Sequence, residues 1–170
     1  MLEEATVLGI SSLSEAEQVE LIQLLEFEKK ERSPFRDAWE FCLECVTTID
    51  EASGEVRAFP RGERYEYLRY ITYERMRYPL FGIEKSRRMF VTWLMLSLYL
   101  YDTLTSMHHA NFIGSRKQES SAYLMGPHRM FGIWERIPEG KWPGGKPELR
   151  ASGKYMAGYT RLECPETGSY

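Results

Sequence analysis

The run from Met89 to Tyr101 is the longest apolar stretch of the chain, and it limits what the sequence can fold into more than any other feature. A bilayer span needs about 20 apolar residues. This run is shorter and carries Thr92 and Ser97, so it reads as a helix buried in a protein core. Upstream, Pro79-Leu80-Phe81-Gly82-Ile83 is a short apolar segment of strand length behind a proline. Between the two lies Glu84-Lys85-Ser86-Arg87-Arg88, polar and mostly basic. The pattern predicts a strand, a loop and a core helix, in that order.

A loop that joins a buried strand to a helix start presents backbone N–H groups and the positive end of the helix dipole. Here Lys85, Arg87 and Arg88 add side-chain charge, and such a place suits a phosphate group. The ordinary phosphate loop, G-x-x-x-x-G-K-[ST], ends in a hydroxyl residue that binds magnesium. Sliding that pattern until Thr92 takes the hydroxyl role puts Lys85 on its first glycine, Phe90 on its second and Val91 on its lysine, so the ordinary pattern fails. Taken alone, the loop can equally be a basic strand-to-helix turn whose arginines are solvated or paired with surface acids.

The stretch Lys85 to Thr92 fits K-[SA]-R-[RQ]-x-x-x-[ST], which resembles the variant Walker A loop of large terminase subunits, the DNA-packaging ATPases of tailed bacteriophages. In that family the lysine lies at the start of the loop. The flanks are similar too: Phe59-Pro60 and Tyr67-Leu68 upstream, Asn111-Phe112-Ile113-Gly114-Ser115 downstream, and Glu166-Thr167-Gly168-Ser169 at the end, so that the likeness runs from about Thr47 to Tyr170. The resemblance implies an α/β fold, a P-loop NTPase-like parallel sheet with flanking helices over residues 47–170, preceded by a helical segment over 1–46. It implies ATP and Mg2+ as cofactors, held by Lys85, Ser86, Arg87, Arg88, Met89, Phe90, Val91 and Thr92, with the Thr92 hydroxyl on the magnesium ion. Phe59 and Pro60 would lead into the part that covers the adenine. Arg87 or Arg88 is the implied catalytic arginine supplied in cis, because an arginine near the γ-phosphate neutralises charge that develops during transfer. The implied partners are double-stranded viral DNA, the small terminase subunit and the portal protein, and the implied location is the host cytoplasm.

Two features of a full large terminase subunit are missing. After Thr92 there is no apolar run ending in Asp-Glu, and there is no acidic triad of a two-metal nuclease. In the family the acid strand lies beyond the Thr-Gly-Ser segment, which here ends one residue before Tyr170. The expectation is therefore the front part of an ATPase domain, with weak nucleotide binding and little turnover by itself. Without the neighbouring strands, a marginally stable or self-associating chain is expected.

Composition narrows the alternatives. With 43% hydrophobic and 28% charged residues the chain has enough apolar material for one ordinary core. The net charge of −3 gives no global attraction for nucleic acid, so any such contact must be local. Met1-Leu2-Glu3-Glu4 lacks the basic start of a secretory signal, and three cysteines suit thiols better than a disulfide framework. Cys42 and Cys45 are spaced C-x-x-C, but Cys164, His108, His109 and His128 supply no second half-site, so packed thiols are the better reading than zinc or redox chemistry.

Along the chain, Ser12 and Ser14 with Glu15 and Glu17 predict a capped helix running to about Arg32. Ser33-Pro34 predicts the start of a second helix, reaching Val46. Val46 to Glu51 imitates an acid-tipped Walker B strand but precedes the loop, and it reads as one arm of a turn around Ser53-Gly54. Glu63 to Tyr78 predicts an amphipathic helix with Tyr67, Leu68, Ile71 and Met76 on its core side; its tyrosines can also stack on bases. The adjacent pair His108-His109 cannot readily chelate one ion from a helix. Asn111 to Ser115 predicts a second strand, Arg116 to Ile137 a helix broken at Gly126-Pro127, and the segments around Gly153 and Gly158 further short strands. Lys141, Trp142 and Lys146 lie in a Gly-Pro loop where the tryptophan serves as an anchor or, with the lysines, as a nucleic-acid contact. The alternation of strand and helix predicts a parallel α/β sheet. A non-catalytic α/β interaction module that binds protein or nucleic acid through its tyrosines and basic loop is the alternative function.

Overall fold

The computed structural model describes residues 14, 33–50, 53–78, 82–84, 89–142, 145–156 and 158–170. Its elements are α1 (Ala38–Cys45), β1 (Thr47–Ile49), β2 (Val56–Ala58), α2 (Glu66–Arg77), α3 (Val91–Thr105), α4 (Gln118–Met125), α5 (Met130–Glu135), β3 (Arg150–Tyr155) and β4 (Gly158–Glu163). The expected helix from Ser12 to Arg32 lies outside the described residues.

Helices α1, α2 and α5 pack around α3. Leu94, Leu98 and Leu100 are wholly buried, and Val91, Trp93, Leu96, Tyr101 and Leu104 nearly so. A helix apolar on all sides has to be wrapped by other elements. Its polar side chains are buried as well, and they survive by bonding back to the helix: Ser97 donates to the Trp93 carbonyl (2.7 Å), Thr103 to Tyr99 (2.8 Å) and Thr105 to Tyr101 (2.8 Å). Asp102, also buried, receives Arg75 of α2 at 2.7 Å, and the Arg75 guanidinium sits 5.1 Å from the Tyr99 ring centre. This partly desolvated pair fixes the register of α2 against α3.

Helix α1 begins one turn later than the sequence suggests. Asp37 is its N-cap, accepting from the Glu40 N–H at 2.8 Å, while Ser33 turns onto Phe35 instead. The helix buries Trp39, Phe41 and Cys42 in the same cluster as α3, so one core spans the boundary at residue 46. Phe35 and Phe41 meet Trp142 edge-on at 5.4 and 6.4 Å. The tryptophan is the loop's anchor. Its neighbours are engaged internally, Lys141 with Glu44 (2.7 Å) and Lys146 with the Trp134 carbonyl (2.9 Å) and ring (4.3 Å).

Both sheets among the described residues are two-stranded and antiparallel: β1 pairs with β2 around the Ser53-Gly54 turn, and β3 pairs with β4. The fold thus mixes helix and strand, but the described residues contain no parallel sheet. Asn111 to Ser115 forms no strand, and residues 82–84 are irregular. The reason at 111–115 is the lack of an adjacent strand: the backbones of Phe112, Ile113, Gly114 and Ser115 make no hydrogen bond among the described residues. The second hairpin is held by close approach, since Gly158 lies so near α4 that an added Cβ would fall 1.8 Å from the Ala122 carbonyl oxygen.

If α3 carries the core, removing a fully buried leucine from it must be costly. Leu98→Ala is expected to destabilise the chain by about 2–5 kcal/mol, whereas Thr92→Ala, on an exposed position of the same helix, should change stability by less than about 0.5 kcal/mol. Denaturant unfolding of both variants checks this.

Candidate functional site

The start of α3 differs from an ordinary helix start in two ways. Its N-cap is Phe90, which has no side-chain hydrogen bond to offer and stands at φ 54°, ψ 1°, in the left-handed region. An aromatic residue there costs about 1–2 kcal/mol, which glycine would avoid. The first intrahelical bond is Leu94 N–H to the Phe90 carbonyl (2.9 Å), so the N–H groups of Val91, Thr92 and Trp93 have no capping side chain at Phe90 to receive them. Thr92 is exposed on this first turn, while Val91 and Trp93 are buried on either side of it.

Two tyrosines hold the strained turn in place. Tyr67 of α2 donates from its hydroxyl to the Met89 carbonyl at 2.9 Å, and burial keeps this phenol neutral by raising its pKa. Tyr65, in the 3-10 turn before α2, meets the Phe90 ring edge-on at 5.9 Å. Tyr65 also walls a mostly apolar cavity of about 260 Å³ together with Trp39, Leu43, Pro60, Arg61 and Arg69. Pro60 and Phe90, far apart in sequence, are therefore linked through one ring. Phe59 takes another place: it is buried in the core, edge-on to Trp39 at 6.0 Å, and only Pro60 lines the cavity.

Lys85, Ser86, Arg87 and Arg88 lie outside the described residues. Among the remaining candidates, Met89 and Phe90 are half-buried, Val91 is buried and Thr92 faces solvent. As a magnesium ligand Thr92 offers one oxygen, and the described residues contain no group of three or more His, Cys, Asp or Glu that could hold a metal. An ion there would need phosphate oxygens and water for the rest of its shell.

Sequence reasoning overlooked Tyr65 and Arg129. Arg129 is buried and its guanidinium lies 4.5 Å from the centre of the Trp93 ring and 5.2 Å from that of Tyr123. It walls a second cavity of about 400 Å³ with Asp50, His128, Ile49 and Gly54. The Gly126-Pro127 break just before Arg129 was the available signal, since it turns α5 back toward the first turn of α3. The α2 tyrosines divide: Tyr67, Leu68 and Ile71 face the core as expected, but Met76 does not, and Tyr70, Tyr73, Met76 and Tyr78 are exposed. His108 and His109 follow α3 outside any helix, with His108 at φ 50°.

No protein-family model matches the chain, and neither a curated protein nor a solved structure matches it significantly.

The C-x-x-C thiols are packing groups. Cys42, Cys45 and Cys164 are all buried and free, and burial pushes the Cys45 thiol up to about 12 and raises the other two as well. Because these folded-state values exceed the unfolded one, the stability they contribute is complete below the ordinary value of 9.0 and is lost as pH rises from 9.0 toward 12. A thiol reagent at a pH below 9.0 is expected to leave all three native cysteines unmodified and to label all three once the chain is unfolded. Rapid labelling of Cys42 or Cys45 in the native chain would show a reactive pair.

Proposed function

We propose that the chain binds ATP as the front part of the ATPase domain of a large-terminase-type DNA-packaging motor. The observation that carries this reading is the start of α3: a left-handed residue where the ordinary phosphate loop places its second glycine, with no side-chain cap from Phe90 for the N–H groups that follow, and an exposed threonine. Such a terminus favours an anion through its N–H groups and its dipole. Lys85, with Ser86, Arg87 and Arg88, would add charge at the phosphates, and Thr92 would complete the shell of a phosphate-bound Mg2+. The cavity beside Tyr65 and Pro60 supports a place for the base. At about 260 Å³ it falls below the ~300–1,000 Å³ of sites that enclose a whole drug-sized ligand, so it suits one ring system with the phosphates outside it. The same reading places the chain in a P-loop parallel sheet, with double-stranded DNA, a small terminase subunit and a portal protein as partners and the host cytoplasm as its location.

Arg87 or Arg88 is the arginine proposed to meet charge developing at the γ-phosphate. The chemical role of the described residues is positional. Tyr67 bonds to the Met89 carbonyl and Tyr65 packs on the Phe90 ring, so both hold the turn that leads into the buried helix.

A second reading, an interaction module, is favoured by one observation. Tyr70, Tyr73, Met76 and Tyr78 form an exposed stripe on and after α2, with Arg69 and Arg77 beside its tyrosines at 5.7 and 5.5 Å. On this reading the stripe, and not the helix start, is the working surface.

Titration with a fluorescent ATP analogue in the presence of Mg2+ separates the two. Lys85→Ala and Thr92→Ala are each expected to weaken binding at least about tenfold, equivalent to roughly 1.4 kcal/mol, while Tyr70→Ala leaves it unchanged. Unchanged affinity in both loop variants would contradict the nucleotide reading. Where turnover is measurable, replacing the catalytic arginine should lower it far more than binding; equal losses would make that residue a phosphate holder only.

A further inference from the structure

Four large side chains stand in water on one face of α2 and just past its end. Tyr70 is 64% exposed, Met76 57%, Tyr78 46% and Tyr73 39%. Spacings of three and four residues put Arg69, Tyr70, Tyr73, Met76 and Arg77 in a single stripe, while Leu68 and Thr72 on the opposite side are wholly buried. A contiguous exposed stripe of this kind marks a contact surface, and tyrosine, methionine and arginine are side chains that interfaces favour. Two observations name its occupant.

The first is charge. Residues 1–32 carry eight glutamates against two lysines and one arginine, whereas residues 61–88, which include α2, carry eight basic and four acidic side chains. Opposite local fields within one chain attract each other. The second is where residues 1–32 join the described structure, outside which they lie apart from residue 14. Ser33 is buried, and its hydroxyl accepts from the Tyr101 hydroxyl of α3 at 3.2 Å. Four residues on, Asp37 accepts from the Tyr73 hydroxyl at 3.4 Å, so the chain enters beside the middle of the stripe. Five residues of chain separate Arg32 from Asp37, a reach of at most about 18 Å. The sequence predicts a capped helix up to Arg32, with Leu21, Ile22, Leu24, Leu25 and Phe27 in its second half. From Ser12 such a helix is about 30 Å long and α2 is about 18 Å, so it can cover the stripe from end to end.

We propose that residues 12–32 dock as a helix on the α2 stripe, with their leucines, Ile22 and Phe27 against Tyr70, Tyr73 and Met76 and their glutamates toward Arg69 and Arg77. A tether this short holds the segment at an effective concentration on the order of millimolar, so a contact too weak to join free peptides suffices. The docking does not use the start of α3, and it can fail or stand independently of the nucleotide reading. It competes with the interaction-module reading, because an outside partner would have to displace the segment from the stripe.

Paramagnetic relaxation tests the docking in the full 170-residue chain. Gln23→Cys places one accessible thiol on the segment, while the three native cysteines are buried and stay unlabelled. With a nitroxide at position 23, the Tyr70, Tyr73, Met76 and Arg77 amides should lose most of their intensity, and those of the β3–β4 hairpin should keep theirs. Full intensity along the stripe overturns the proposal, as does equal loss over stripe and hairpin or loss centred on another surface. Loss that appears only when nitroxide-bearing chains are mixed with isotopically labelled chains lacking the nitroxide assigns the stripe to a second copy, and overturns it as well. Arg69→Gln combined with Arg77→Gln, at two exposed positions, should return intensity to the stripe with the α3 amides unmoved. Undiminished loss in that folded variant shows that charge does not choose the occupant and contradicts the proposal; if the variant loses its fold, the result at position 23 alone decides.

Discussion

A helix buried on every side can do chemistry only at its ends, and that constraint organises this protein. Because α3 has no exposed face to spare, its buried hydroxyls bond back to its own carbonyls, its one acid is matched by Arg75, and α1, α2 and α5 cover it. Its two ends carry the features that remain unexplained by packing. The first turn follows a strained Phe90 that offers no side-chain cap, and the last turn receives Thr167 and, through Ser106, Ser169.

The strain at Phe90 bears on function because the surroundings enforce it. Residues in left-handed backbone persist where neighbours over-determine them, and such residues gather at functional sites. Here Tyr65 and Tyr67 grip the turn on one side and the buried helix continues on the other. Electrostatics point the same way. Residues 61–88 carry eight of the 22 Lys and Arg but only four of the 25 Asp and Glu, so a chain that is acidic overall turns basic just ahead of this helix. That local field suits an anionic ligand and is diluted in the total charge.

What could be read from the sequence followed from periodicity and from glycine and proline. The length and burial of α3, the break between α4 and α5, the turn at Ser53-Gly54 and the short strands around Gly153 and Gly158 were all legible, because each rests on local pattern; the antiparallel pairing of β3 with β4 was not predicted. The N-cap of α1 was misplaced because Ser33-Pro34 and Asp37 both offer start signals, and the Asp37 carboxylate takes the Glu40 amide. Asn111 to Ser115 was predicted as a strand, but a strand depends on a partner that periodicity cannot supply, and the segment forms none. The parallel sheet inferred from alternating strand and helix fails among the described residues for the same reason. In the candidate site, Thr92 and Pro60 came from the family resemblance, and the structure places Thr92 exposed on the first turn of α3 and Pro60 on the cavity wall. Tyr65 and Arg129 were not, since their importance comes from rings that meet only after α2 and α5 fold back on α3. Met76 was assigned to the core by spacing, yet it is exposed on α2.

The central claim is that the first turn of α3 is an anion site kept ready by burial of the rest of the helix. Titration of the isotopically labelled chain with Mg2+ and ATP, followed through its backbone amide resonances, tests it most directly. The account predicts saturable shifts of the Val91, Thr92 and Trp93 amides that share one dissociation constant with the shift of Lys85, and no comparable shift on the exposed side of α2. Saturable shifts confined to Tyr70, Tyr73 and Tyr78, with the α3 amides unmoved, would contradict it.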